Sequence, residues 1–215
     1  MELSQMQEKL KGMLTEKRFQ HSLGVMDSAV HLAKIFGESE EKARIAGLLH
    51  DCAKDINKEL MPSMCDELGV ELDAVKREQR SLIHADLGAK LVQTEFGVSD
   101  PDIISAIRYH TLGRPNMTAL EKILYIADFI EPNRKDFPGL ADIRELAELD
   151  LDIAMLTAVN ASIRYVKSQN KVLHEQSVKT QAYYQKLASK ARCAAKDLQS
   201  LYLSYRRSIP VLRKQ

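Results

Sequence analysis

The sequence predicts an all-α fold, and three observations lead to this expectation. Apolar residues recur at three- and four-residue steps through most of the 215 residues, which is the spacing of amphipathic helices. Glycine (9 residues) and proline (6 residues) are scarce, which disfavours a turn-rich all-β fold. Apolar residues make up 45% of the chain and charged residues 28%, so the chain can bury the core of an ordinary globular domain.

The first half of the chain contains four predicted helices and one irregular region. The predicted helices span residues 3–13, 21–36, 40–53 and 82–96. Gly37 and Gly97 follow the second and the fourth of them, as glycines commonly do at helix ends. The segment 57–80 is polar and contains Pro62 and Gly69, so short helices and loops are expected there.

The second half contains four more predicted helices, and two of them have clear start signals. These helices span residues 101–110, 118–132, 142–149 and 151–168. Asp100 is a suitable N-cap for the first of them, and Pro101 suits its first turn. Thr118 and Glu121, three residues apart, have the pattern of a capping box.

The last 46 residues differ from the rest in charge and in apolar spacing. Residues 170–215 carry ten basic and two acidic side chains, whereas residues 1–169 carry 21 and 28. An a/d heptad seam is formed by Tyr184, Leu187, Ala191, Ala194, Leu198, Leu201 and Tyr205. We therefore expect a helical domain at 1–170 and a basic C-terminal amphipathic helix within a helical extension at 171–215. One interpretation is that this helix packs on the helical domain of its own chain or on a second copy, which would form a homodimer. The other is that it contacts nucleic acid or the ribosome through its basic face.

The cysteine content and the absence of long apolar segments predict a cytoplasmic protein. The three cysteines form no CxxC pair, which is typical of a reducing compartment. No signal peptide is visible at the N-terminus. No apolar stretch reaches the length that a membrane span needs, so no membrane contact is expected.

Six residues of the kinds that bind metal ions fall among apolar positions. They are His21, His50, Asp51, His84, His110 and Asp128. His21 precedes Val25 and Ala29 at four-residue steps, so its side chain should face the core. Asp128 interrupts the apolar run 123–130, where a carboxylate has no evident structural reason. Burying these groups is costly unless they are satisfied, and two divalent ions would satisfy them together.

We assign the six residues to two metal ions. One ion is assigned to His21, His50, Asp51 and Asp128, and the other to Asp51, His84 and His110. Imidazole and carboxylate donors suit iron, manganese or zinc. The simpler alternative is that each histidine is a satisfied structural residue, which is our interpretation of His31 and His174. The joint pattern with the two aspartates favours the metal interpretation.

The order H…HD…H…H…D resembles that of the HD-domain phosphohydrolases, which are all-helical metal enzymes. The flanking segments are more specific. Segments 18–22 (RFQHS), 46–55 (AGLLHDCAKD), 110–113 (HTLG) and 126–134 (IADFIEPNR) are similar to the YqeK-type branch, the bacterial symmetrical bis(5′-nucleosyl)-tetraphosphatases. The resemblance spans about residues 5–170 and does not account for the basic helix. It implies an HD-domain helical bundle around a dinuclear metal site, iron as the metal pair, and cleavage of diadenosine tetraphosphate into two ADP.

A tetraphosphate substrate carries several negative charges, so cations beyond the metal ions are expected around it. The predicted catalytic residues are Asp51, Lys54 and Arg134. The predicted substrate-binding residues are Arg18, Lys54, Thr111, Gly113 and Arg134. Gly113 is chosen because a residue without a side chain lets a phosphate approach the backbone. Asp55 and Glu131 are candidates to orient the imidazoles, or else they pair with Lys and Arg.

Other functions remain open at this point. One is a different HD-domain hydrolase that acts on a dNTP, a mononucleotide or a cyclic nucleotide. Another is a nucleotide-sensing interaction protein that uses the basic helix. The presence of all six candidate ligands favours an enzyme. The expected ligand is thus a dinucleoside polyphosphate or another purine nucleotide, with Tyr109, Tyr125 and Phe137 as candidate platforms for the base.

Overall fold

A computed structural model describes the backbone of residues 1–208 and the side chains of residues 1–191. Within this part of the chain the regular elements are all helical, as predicted. The α-helices are α1 Leu3–Met13, α2 Glu16–Phe36, α3 Glu40–Leu49, α4 Met61–Glu67, α5 Ala74–Glu78, α6 Ile83–Thr94, α7 Pro101–Tyr109, α8 Ala119–Ile130, α9 Leu140–Leu149, α10 Leu151–Ser168 and α11 Glu175–Ser208, and a 3₁₀ turn at Arg80–Leu82 precedes α6. No helix in this range combines the length and the apolar character needed to cross a membrane.

Helix α8 forms the centre of the bundle, where it contacts α2, α3, α7, α9 and α10. Its apolar side chains are buried around most of the helix: Leu120, Ile123, Leu124, Ile126 and Ala127 are each at most 2% exposed. A helix that is apolar all round belongs in a protein interior. Any polar side chain that α8 carries into this interior therefore needs a partner.

The two predicted helix starts in the second half of the chain are confirmed. Asp100 accepts a hydrogen bond from the backbone N of Asp102 at 2.8 Å, which caps α7. Thr118 and Glu121 form the predicted capping box at the start of α8. Glu121 is fully buried, and Arg114 pairs with it at 2.9 Å, so this cap also anchors the preceding loop.

The predicted end of the third helix is wrong by one turn. Helix α3 ends at Leu49 rather than at Ala53. Beyond Leu49 the backbone closes into tight turns, in which Cys52 N donates to Leu49 O at 3.0 Å and Lys54 N donates to Asp51 O at 2.9 Å. The predicted helix was too long because the turn residues are themselves buried and continue its apolar pattern. The turn lets consecutive side chains point into the same space, which a continuing helix would not allow.

The first part of α11 packs against α10. Tyr184 is only 1% exposed, and Leu187 packs against the core, as the predicted seam requires. Ala191 is exposed. The remaining seam positions, Ala194, Leu198, Leu201 and Tyr205, lie outside the side chains that the structure describes. The division of the chain at residue 170 stays a prediction.

Gly47 sets the close approach of α2 and α3. A Cβ atom at this position would lie 2.6 Å from the Cα of Met26 and 3.2 Å from the carbonyl oxygen of Val25. These are backbone atoms, so relief would require the two helices to move apart. Both helices carry candidate metal ligands, so this contact also sets the spacing at the site.

Gly47→Ala is expected to lower the free energy of unfolding by about 1–3 kcal/mol, because the core has no room for the added methyl group. Gly12→Ala in α1 is the control, since a Cβ at Gly12 meets nothing within 4 Å. That change should be neutral or stabilise the protein by up to about 1 kcal/mol. Urea denaturation of both variants measures the difference, and equal stabilities would contradict the close-packing account.

Candidate metal centre

The helices bring all six candidate metal-binding residues to one place in the interior of the bundle. They are His21 on α2, His50 and Asp51 directly after α3, His84 in the first turn of α6, His110 directly after α7, and Asp128 on α8. The ring centroids of neighbouring histidines are 5.1–5.3 Å apart. The structure thus brings the six side chains together, and their role as metal ligands stays a prediction.

Each histidine uses its Nδ1 atom for a hydrogen bond away from the centre. The partners of His50, His84 and His110 are the carbonyl oxygens of Gly47, Ser81 and Ile107, at 2.8, 2.7 and 2.6 Å. The partner of His21 Nδ1 is Oε1 of Glu131, at 3.1 Å. An Nδ1 that donates leaves Nε2 of a neutral ring with a free lone pair. All four Nε2 atoms therefore present lone pairs to the same region. The three carbonyl partners were not anticipated from the sequence, although each lies three residues before its histidine.

Asp51 connects two clusters of imidazoles. Its Oδ1 lies 3.3 Å from Nε2 of His84 and 3.5 Å from Nε2 of His110. Its Oδ2 lies 3.6 Å from Nε2 of His50 and 3.9 Å from Nε2 of His21. The carboxylate is 2% exposed, and each of its oxygens faces a different cluster. These two clusters are suited to hold metal ions.

The first cluster, formed by His21, His50, Asp51 and Asp128, contains buried atoms without partners. Asp128 Oδ1 lies 3.0 Å from Nε2 of His21 and 3.9 Å from Nε2 of His50. The Nε2 atoms of both histidines are buried and lack a hydrogen-bond partner, and so does Oδ1 of Asp51, on the side of the second cluster. Each such atom costs about 1–3 kcal/mol when it is left unsatisfied. A divalent cation would accept these lone pairs, so the residues fit a metal ion.

The second cluster, formed by Asp51, His84 and His110, gives a separate argument for a cation. The Nε2 atoms of His84 and His110 lie 3.2 Å apart. With both Nδ1 atoms donating to carbonyl oxygens, two acceptor lone pairs face each other at this distance. The donors beside them are Lys54 Nζ, 2.9 Å from Nε2 of His84, and Thr111 Oγ1. A metal ion bound by both nitrogens and by Asp51 would use both lone pairs at once.

Burial and neighbouring charges favour the metal-binding ionisation at three of the candidate ligands. Burial lowers the pKa of His50 to about 4. Burial, together with the charge of Lys54, lowers the pKa of His84 well below its usual value. Burial alone would raise the pKa of Asp51, but the charges of His50 and Lys54 hold it well below its usual range. Neutral imidazoles and an ionised carboxylate are the forms that bind metal ions.

Three basic side chains surround the two clusters. Arg18 Nη1 lies 2.9 Å from Asp51 Oδ2, Lys54 Nζ lies 3.7 Å from Asp51 Oδ1, and Arg134 Nη1 lies 3.7 Å from Asp128 Oδ1. Each of these basic side chains is about a third exposed, so it can reach a ligand in solvent while it touches the buried carboxylates. All three lie beside the centre, and their role toward phosphate stays a prediction.

A cavity of about 350 Å³ opens beside the second cluster. Its walls include Arg18, Lys54, Met61, Ser81 and His84. Basic groups and a candidate metal ligand thus share one space that solvent can enter. This arrangement suits an anionic ligand that must reach the metal centre.

Thr111 and Gly113, which come shortly after His110, are both predicted to bind substrate, and Thr111 contacts the site. Its Oγ1 lies 3.1 Å from the Nε2 atoms of both His84 and His110. Gly113 has a positive φ of 65°, and a Cβ there would lie 2.7 Å from Cγ2 of Thr180 on α11. Turn geometry and packing against α11 thus explain the glycine, and its proposed approach to a phosphate stays a prediction.

Two other sequence candidates have structural roles away from the centre. Asp55 accepts hydrogen bonds from the backbone N and Oγ1 of Thr15, both at 2.8 Å, rather than from an imidazole. This contact stabilises the start of α2 at Glu16, which is earlier than the sequence predicts. Tyr125 is 1% exposed and stacks on Phe129, so it offers no surface to a nucleotide base.

A helical bundle that gathers four histidines and two aspartates into two adjoining groups of candidate metal ligands is typical of metal-dependent phosphohydrolases. Comparison with known families agrees with this class. The family described as "HD domain" matches residues 18–133, and the chain belongs to the HD-domain family.

Individual relatives extend the comparison over most of the chain. The symmetrical bis(5′-nucleosyl)-tetraphosphatase of Bacillus subtilis is 45% identical over 161 residues, which cover 75% of this chain and 86% of that protein. The protein of the same name from Halalkalibacterium halodurans is 40% identical over 171 residues, covering 80% and 90%. A crystal structure of a predicted HD superfamily hydrolase involved in NAD metabolism, from Clostridium acetobutylicum, superimposes with a TM-score of 0.83 at 41% identity. It covers 86% of this chain and 98% of that one.

Removal of divalent ions with a chelator is expected to lower the melting temperature, and re-addition of Mn²⁺ should restore it. At a free concentration of about 100 times Kd, a single site contributes about 2.7 kcal/mol. For a chain of this size that corresponds to about 5–10 °C. Differential scanning fluorimetry measures the shift.

Two histidine variants separate specific from non-specific effects in this assay. His50→Ala should lose the part of the shift that the first cluster contributes. His31→Ala should keep it, since His31 is exposed and pairs with Glu148 at 2.9 Å on the surface. An equal shift in both variants would contradict the metal interpretation of the first cluster.

Proposed function

We propose that this chain is a metal-dependent symmetrical bis(5′-nucleosyl)-tetraphosphatase that hydrolyses diadenosine tetraphosphate to two ADP. The observation that carries the proposal is Asp51, whose two oxygens face two separate imidazole clusters, in a chain 45% identical over 161 residues to a protein of that name. A water molecule adds to one of the two inner phosphorus atoms, and the bond from that atom to the central bridging oxygen breaks. Each product keeps two phosphates, so both are ADP.

The proposed metal ligands follow the two clusters. One ion is held by His21, His50, Asp51 and Asp128, and the other by Asp51, His84 and His110. The two ions, when bound, polarise a phosphoryl oxygen and lower the pKa of a water molecule. Iron is the proposed metal because of the family resemblance, and manganese and zinc also suit the donor set.

The chain's own cations neutralise and orient the polyphosphate. Lys54 lies beside the second cluster, and Arg134 lies beside Asp128 of the first. A polyphosphate that crosses both clusters thus meets a positive charge at each end. Arg18 adds a third charge between them, and the hydroxyl of Thr111 can donate to a phosphoryl oxygen. In phosphoryl transfer such positioning and charge neutralisation supply most of the catalysis.

The alternatives from the sequence are less well supported. A role limited to dNTPs or mononucleotides has no specific observation in its favour, whereas the relatives above are named for the tetraphosphate activity. The homodimer and nucleic-acid functions of the C-terminal helix depend largely on side chains after residue 191 and stay predictions. The cytoplasmic location rests on cysteine usage and stays a prediction as well.

His50→Ala and Asp128→Ala are each expected to abolish hydrolysis of diadenosine tetraphosphate, because each removes a ligand of the first cluster. Far-UV circular dichroism should remain helical in both, and His31→Ala should keep full activity. Chromatography of the products tests the symmetry of cleavage, for which ADP should be the sole product. Activity retained in both ligand variants, or ATP and AMP as products, would contradict the proposal.

Arg134→Ala is expected to lower kcat/KM for the tetraphosphate by about 10–100-fold, since a hydrogen bond to a charged group is worth about 1.5–3 kcal/mol. Its sequence neighbour Lys135 is exposed, so Lys135→Ala is a matched control that should change kcat/KM less than about twofold. Steady-state kinetics at saturating metal separates the two. Equal losses would indicate only a general effect of positive charge.

A further inference from the structure

Glu131 is a buried carboxylate that contacts the side of His21 facing away from the metal centre. Its side chain is 3% exposed, and its Oε1 lies 3.1 Å from Nδ1 of His21. Its Oε2 accepts a hydrogen bond from the backbone N of Asn133 at 2.7 Å. Both oxygens therefore have a donor, which is the condition for burying a carboxylate. The contact fixes which nitrogen of His21 is free to face the centre.

The backbone around Glu131 explains how a residue at the end of α8 reaches α2. Glu131 is the C-cap of α8, with φ −51° and ψ 147°. The following Pro132 favours this extended conformation, which ends the helix. The carbonyl of Glu131 accepts hydrogen bonds from the backbone N of Arg134 at 3.0 Å and from the side chain of Arg144 at 3.2 Å. The position of the carboxylate is thus set by the backbone of α8 and the turn that follows it.

Gly24 lies on α2 three residues after His21, on the same helix face. A Cβ at this position would lie 2.7 Å from Oε2 of Glu131 and 3.5 Å from Nδ2 of Asn133. A glycine inside a long helix costs about 1 kcal/mol relative to alanine. The position therefore needs a reason, and the reason on this face is the space that the carboxylate of Glu131 occupies.

We propose that Gly24 is a positioning residue for the metal centre. Its missing side chain admits the carboxylate of Glu131 to Nδ1 of His21, and this contact holds Nε2 of His21 toward the first cluster. Gly24 itself touches neither metal nor substrate, so it acts only through Glu131. This inference rests on the metal centre proposed above.

The nature of the clash separates this role from a role in folding. At Gly47 an added Cβ meets backbone, whereas at Gly24 it meets the far end of a flexible side chain. Gly24→Ala is therefore relieved when the carboxylate moves, without a shift of the helices. The variant should fold with its helices in place and bind metal more weakly.

The control is another buried helical glycine beside the site. A Cβ at Gly88 of α6 would lie 3.6 Å from Sγ of Cys52 and 3.7 Å from the carbonyl oxygen of His50, which are ordinary contact distances. Gly88→Ala thus adds the same methyl group in the same kind of environment and displaces no group that holds a ligand. A difference between the two alanine variants therefore reports on Glu131.

The experiment titrates the metal-free protein with Mn²⁺ in a calorimeter. The metal ions that remain bound after gel filtration are then counted. Gly24→Ala and Glu131→Ala should each weaken the binding of one ion, that of the first cluster, by about 10–100-fold, the usual effect of losing a group that orients a ligand. Gly88→Ala should stay within about twofold of wild type. The double variant Gly24→Ala/Glu131→Ala should bind Mn²⁺ no more weakly than Glu131→Ala does. Saturating Mn²⁺ should restore most of kcat in Gly24→Ala.

The outcomes distinguish this inference from the proposed function. A wild-type protein that binds no divalent metal overturns the metal centre and the inference together. A wild type that binds metal and cleaves the tetraphosphate, with Gly24→Ala equal to Gly88→Ala, overturns the inference alone. Losses in Gly24→Ala and Glu131→Ala that multiply in the double variant would also overturn it, because Gly24 would then act by another route.

Discussion

The arrangement of the interior depends on how one buried group of nitrogen and oxygen lone pairs is satisfied. Four Nε2 atoms and two carboxylates converge in an interior formed mainly by apolar side chains, and three of their atoms lack a hydrogen-bond partner. Protons do not satisfy all of them, because burial lowers the pKa of His50 to about 4 and that of His84 well below its usual value. Divalent cations satisfy them together, since one ion accepts several lone pairs at once. Asp51, with one oxygen in each cluster, makes the two metal positions interdependent.

Helix ends, rather than helix faces alone, position much of this centre. The turn after α3 carries His50 and Asp51, the residue after α7 is His110, and the C-cap of α8 is Glu131. At a helix end the backbone changes direction, so neighbouring residues can point into one space. Helices α2 and α8 supply the remaining rigid support, and the spacing of α2 to α3 depends on the absence of a side chain at Gly47. Packing and chemistry thus share the same small set of contacts.

Much of this centre was predictable from local sequence patterns, because an inward-facing polar residue shows as an exception within an apolar run. His21 and Asp128 were found in this way, and Thr118 showed the start of α8. Two features were not predictable, since they depend on contacts between distant segments. Glu131 was a candidate to orient an imidazole, but no local pattern indicates that its partner is His21, 110 residues away. The turn after Leu49 was missed because its residues are as buried as those of the helix.

The most direct test of the central claim is a count of metal ions per chain in protein purified without oxygen, by inductively coupled plasma mass spectrometry. Wild type should contain close to two divalent ions, and Asp51→Asn should lose both, because its carboxylate belongs to both clusters. A wild-type count near one would contradict the shared role of Asp51. A count near zero that Fe²⁺ or Mn²⁺ cannot raise would contradict the account of the buried lone pairs as metal ligands.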